Sequence, residues 1–139
     1  MFTNNRQELR QYFFDVWKKV ENKTPLIPLE EQVAAVIVEH PEYHNIFQTP
    51  EKFVDKDFSS ELGETNPFLH MSLHLSIREQ IQTNRPDGIK NIFQTLCKKM
   101  PAHDAEHCMM EILAEMIWQA QRHGKEPDQN LYLERLAQL

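Results

Sequence analysis

Asn66-Pro67-Phe68-Leu69-His70-Met71-Ser72-Leu73-His74-Leu75-Ser76-Ile77-Arg78-Glu79-Gln80-Ile81-Gln82-Thr83 is the stretch whose reading decides the fold. It opens on two start signals. Asn66 can cap the orphan amides of a first helical turn, and Pro67 suits a position where a missing N–H costs nothing. The spacing predicts one helix from Pro67 to about Thr83. Leu69, Leu73, Ile77 and Ile81 form an apolar stripe at four-residue steps, while Phe68, Met71 and Leu75 occupy another face. A helix apolar on so many sides is normally central. His70 and His74 stand one turn apart within it, so both are expected to be largely buried.

The same punctuation continues on either side. Upstream, Leu9, Phe13, Val16, Trp17 and Val20 set a 3.6-residue stripe that predicts a helix over about 5–21. A second helix starts at Pro28 and ends near His40, because Pro41 disfavours helical geometry at the residue before it. It turns Val33, Val36 and Ile37 inward. Residues 41–47 read as a short extra turn or a kinked continuation. From about 49 to 65 the pattern dissolves into an irregular acidic loop, tethered by Phe53, Val54 and Phe58. Downstream, Arg85-Pro86-Asp87-Gly88 makes a turn into a shorter helix ending near Lys99. Pro101 opens a long helix that stops at Gly124, with Met109, Leu113, Met116, Ile117 and Ala120 as its stripe; Asp128 can cap a last one. The expected architecture is all-α: a single-domain helical bundle of about five or six helices spanning residues 1–139.

Composition narrows the function classes. The chain has 139 residues, a net charge of −6 and only three glycines. The acidity argues against a nucleic-acid surface, which needs clustered Lys and Arg. So few glycines disfavour a glycine-rich phosphate loop. No apolar run approaches the length that spans a membrane. The polar start predicts no export signal and a cytoplasmic location. Cys97 and Cys108 form no CxxC motif and are expected to be reduced and mostly buried. Ser72 and Ser76 read as backbone-bonded core residues rather than nucleophiles.

Histidine spacing carries the functional signal. Six of the seven histidines fall into pairs four residues apart: His40/His44, His70/His74 and His103/His107. On a helix such pairs share one face, with Cβ atoms roughly 5–6 Å apart, so two imidazoles can reach one ion. His103, His107, Glu111 and Glu115 extend one ladder; Arg78 continues another past His74, with Glu79 beside it. Pro41 weakens the first pair, which leaves His44 as the preferred third nitrogen. The ligand set read from spacing is His44, His70, His74, His107 and Glu111. His40, His103, Arg78, Glu79 and Glu115 stand behind them as orienting groups or bases. Nitrogen and oxygen donors of this kind suit zinc, iron, nickel or manganese. Met71 takes the place of the glutamate in HExxH, so a zinc-protease reading fails.

Several stretches taken together point to a known family. They are Phe13-Phe14-Asp15-Val16-Trp17, His40-Pro41-Glu42-Tyr43-His44, and Gly63-Glu64-Thr65-Asn66-Pro67-Phe68-Leu69-His70 with Leu73-His74 and Ile77-Arg78-Glu79-Gln80. Arg85-Pro86-Asp87-Gly88-Ile89 and His107-Cys108-Met109-Met110-Glu111, with Glu115, Trp118 and Gln121-Arg122, complete the set. Over nearly the whole chain this combination resembles a proteobacterial family of short single-domain proteins, the domain of unknown function 1841. The resemblance implies a bacterial protein and brings no activity with it. The ligand inventory is also similar to that of hemerythrins, with His107/Glu111 as an HxxxE pair. It resembles the DinB-type thiol transferases as well, with His103 and His107 as the paired histidines. The chain departs from the first in lacking a late HxxxxD and from the second at Cys108 and Met109.

Two functional readings remain open at this level. The first is a transition-metal-binding protein, with a metalloenzyme acting on an unidentified small molecule as its extension. The second is a non-enzymatic interaction or regulatory module, as a homodimer or with a protein partner, whose histidines form a buried polar network without metal.

Overall fold

In the computed structural model, residues 5–58 and 65–139 are described. They are all-α. The helices are α1 (Arg6–Glu21), α2 (Pro28–Val38), a 3-10 helix (Pro41–Phe47), α3 (Pro50–Phe53), α4 (Pro67–Thr83), α5 (Ile89–Leu96), α6 (Ala102–His123) and α7 (Gln129–Ala137). The count exceeds five or six because residues 41–47 and 50–53 wind into short helices of their own. Proline explains both. Pro41 and Pro50 each occupy a first helical position, where φ is pre-set and no amide is lost. Part of the acidic stretch, residues 59–64, lies outside the described residues.

The start and stop signals act as expected. The Asn66 carboxamide oxygen accepts from the amides of Phe68 (3.1 Å) and Leu69 (3.2 Å). Asp128 accepts from Leu131 N–H at 3.1 Å. Gly124 closes α6 at φ 63°, the left-handed region where a Cβ is strained. Glu30, in the first turn of α2, accepts from the Ile27 amide at 3.0 Å and from the Lys19 ammonium at 2.6 Å. These two bonds hold its carboxyl below the ordinary carboxylate value.

The chain divides into two compact units, residues 1–71 and 72–139, with the border inside α4. In the first unit Phe13, Val16, Val33, Val36 and Ile37 are fully buried. Phe68, from the start of α4, meets Phe13 and Phe14 edge to face at centroid distances of 6.1 and 5.6 Å. The second unit packs Ile77 with Ile89, Leu96, Ala105, Met109, Met110, Leu113, Met116, Tyr132 and Leu136. Here Tyr132 donates to Gln80 Oε1 at 2.7 Å, and burial pushes its phenol far up.

Two expected core positions, Leu69 and Cys97, are corrected. Leu69 and Trp118 are more than half exposed, and Cys97 is exposed. The α-helix advances about 100° per residue, so a four-residue ladder drifts by about 40° per step. Leu69 and Ile77 therefore cannot share one narrow stripe, and Ile77 is the buried one. Trp118 carries the Arg122 guanidinium 5.2 Å from its ring centroid. Ser72 Oγ, expected to bond the backbone, is buried and makes no hydrogen bond among the described residues.

Arg10, a polar residue on the inner face of α1, is 1 % exposed. It ties down the tethered loop. Its Nη1 donates to the carbonyls of Phe53 (2.9 Å), Val54 (3.3 Å) and Lys56 (2.7 Å). The guanidinium also lies 5.5 and 4.8 Å from the ring centroids of Phe58 and Phe68. Arg10→Met keeps the bulk and removes the donors. It is expected to cost about 2–4 kcal/mol, read as a lower urea midpoint with faster proteolysis at residues 53–58. An unchanged midpoint would contradict this role.

Candidate metal centre

Each unit has its own histidine cluster, and α4 contributes to both. In the first unit, His40 is 3 % exposed and caps the start of the 3-10 helix. Its Nδ1–H donates to the Val36 carbonyl at 2.7 Å. A carbonyl can only accept, so in the neutral ring the lone pair lies on Nε2. The His40 ring stacks on Tyr43 at 5.5 Å and meets His70 edge to face at 5.1 Å. His44 is set differently. Its Nε2–H donates to the Ile37 carbonyl at 2.8 Å, and its ring lies 5.0 Å from that of Trp17.

The second cluster centres on His74, which is fully buried. Its Nδ1–H donates to Glu106 Oε1. Its Nε2 is 3.1 Å from Nε2 of His107. Arg78 Nε donates to the same Glu106 oxygen at 2.9 Å. Burial acts to raise the Glu106 carboxyl, but the His74 hydrogen bond and the Arg78 charge outweigh it and leave the group below its ordinary value. His103 is exposed, yet its ring lies 4.2 Å from that of His107 and 5.8 Å from that of His74.

His70 and His74 stand one turn apart on α4. His40, His70, His74 and His107 form the one group of three or more metal-ligating side chains among the described residues. Three of the five ligands expected from spacing, His70, His74 and His107, belong to it. His44 and Glu111 do not: His44 is turned to Trp17 and the Ile37 carbonyl, and Glu111 is exposed. His40, expected as a supporting group, is the fourth member. Of the other supporting groups, Arg78 is in contact with the site through Glu106. Glu79 is exposed, and Glu115 pairs with Arg135 at 2.9 Å.

Glu106 escaped the sequence reading. The ladder His103–His107–Glu111–Glu115 rotates by about 40° per step, so it leaves the buried face of α6 after His107. Ala105, Glu106, Met109, Met110, Leu113 and Met116 are the residues buried there. A charged residue inside that apolar run was the available signal.

An all-α chain with a histidine cluster is the class that fold and site define. The chain belongs to the family described as Domain of unknown function (DUF1841), whose family model matches residues 5–138. No curated protein and no solved structure gave a match. No helix among the described residues is long and apolar enough to cross a membrane.

Proposed function

We propose that the protein binds one divalent transition ion, with His40, His70, His74 and His107 as its ligands. The observation that carries this reading is the pair His74 and His107. Two nitrogens on a tetrahedral ion at ~2.0–2.1 Å stand about 3.3–3.4 Å apart, close to the 3.1 Å between the two Nε2 atoms. His70 follows from helix geometry, one turn before His74, and His40 from its contact with His70. Four imidazoles favour borderline ions such as zinc, nickel or iron(II) over calcium and magnesium, which take oxygen ligands. A metalloenzyme is the natural extension, and a cytoplasmic bacterial setting is consistent with it.

A second reading rests on a specific observation. His74, Glu106 and Arg78 are already hydrogen-bonded to one another, and His40 and His44 each reach a carbonyl. A satisfied polar network of this kind serves a non-enzymatic interaction module equally well, since buried polar groups need partners and not necessarily a metal. Elemental analysis of untagged protein, purified without chelators, separates the two. The metal reading expects about one equivalent of a single transition metal per chain. A metal-free protein that also takes up no added zinc, iron, nickel or manganese would leave the network reading standing.

A further inference from the structure

Glu106 is the group that the metal proposal does not use as a ligand and that the structure nonetheless buries beside one. Its side chain is 10 % exposed, and its Oε1 takes two donors, His74 Nδ1–H and Arg78 Nε–H. Two charge-assisted bonds at one oxygen fix the carboxylate in place. We propose that Glu106 is the positioning residue of the site: it holds His74 as the Nδ1–H tautomer, so that the Nε2 lone pair faces His107. Arg78 acts behind it, donating to the same carboxylate oxygen and keeping it oriented.

The chemistry follows from the two faces of an imidazole. A neutral ring has one N–H and one lone pair, and the partner of the N–H decides which nitrogen can bind a metal. Here the N–H is claimed by a carboxylate, which also makes the opposite nitrogen a stronger donor. Metal-ligating histidines are commonly backed in this way, and loss of the backing group typically lowers metal affinity 10–100-fold. His40 has the same arrangement in a weaker form, its Nδ1–H on the Val36 carbonyl. The effect on affinity rests on the four-histidine reading. The tautomer does not, because it belongs to the metal-free chain.

The test therefore has two arms. Nitrogen-15 NMR of histidine-labelled, metal-free protein at neutral pH reads the tautomer of His74. The expected spectrum has a protonated Nδ1 and an unprotonated Nε2. A protonated Nε2, alone or together with Nδ1, would overturn the proposal whether or not a metal is ever bound. The second arm titrates Co²⁺ into wild type, Glu106→Gln and Glu106→Ala, following the visible bands of the ion. Glutamine retains an acceptor for the Nδ1–H without the charge, so E106Q is expected to keep the tautomer and bind about 10-fold more weakly. E106A is expected to lose both the tautomer preference and up to about 100-fold in affinity. Far-UV spectra check that each variant is folded, and E106Q carries the test if E106A is not. Wild-type affinity in folded E106Q and E106A would overturn the positioning role and leave the metal reading intact. Failure of wild type itself to bind Co²⁺ would overturn the metal reading, and the first arm would still decide the tautomer.

Discussion

Replacing His70 and His74 together by alanine is expected to abolish metal binding while leaving most of the far-UV helicity in place. The two side chains are consecutive turns of α4, so the double change removes half of the proposed ligand set from one element. Two remaining imidazoles cannot hold a labile ion at micromolar protein, and metal content should fall from about one equivalent to less than a tenth. The helix itself gains from the change, since alanine is the best helix former. Packing loses, because His74 is fully buried and its removal leaves a cavity. The expected destabilisation is about 2–4 kcal/mol, enough to lower the melt without unfolding the chain at room temperature. His44→Ala is the matching control. Its ring packs on Trp17 and its Nε2–H is held by the Ile37 carbonyl, so metal content should be unchanged. Full metal content in the H70A/H74A protein would sink the assignment.

Removal of the metal should lower the melting temperature by roughly 10–20 °C. A ligand that binds only the native state stabilises it by RT ln(1 + [L]/Kd), about 4 kcal/mol at a thousandfold excess over Kd. In a chain of this size each kcal/mol moves the midpoint by roughly 3–5 °C. The proposed ligands come from the N-cap of the 3-10 helix, from α4 and from α6, elements distant in sequence that only the folded chain brings together. The measurement is a calorimetric scan before and after treatment with a chelator, with metal content determined in both samples. A melt unchanged after verified removal would exclude a structural role for the ion.

Much of the fold was legible because its signals are local. Asn66 and Pro67 announce α4, Asp128 announces α7 and Gly124 ends α6, each through a backbone requirement that only a few residue types meet. Inward faces were read correctly where the apolar residues follow 3.6 spacing over two turns, as at Val33, Val36 and Ile37. Several of the differences share one cause. A four-residue ladder extended over three or four turns drifts round the helix, which brought Leu69 into the expected core and Glu111 into the expected ligand set. Glu106 stands three residues after His103 rather than four, so a four-residue ladder misses it for the same reason. Arg10 could not be read at all. An arginine on an apolar stripe is ordinarily a residue that reaches out to water, and only the folded chain supplies the carbonyls of Phe53, Val54 and Lys56 as acceptors. The histidine pairs were visible as spacing. Which nitrogen each presents was not, since that depends on partners such as Val36 and Glu106 that spacing does not reveal.

X-ray absorption at the edge of whichever metal accompanies the protein reads the proposed ligands themselves. Four imidazoles give a shell of about four nitrogens at ~2.0–2.1 Å with the outer-shell scattering of the rings, and that imidazole signal is expected to be lost in the H70A/H74A protein. A shell containing sulfur at ~2.3 Å, or one built of oxygen alone, would contradict that ligand set.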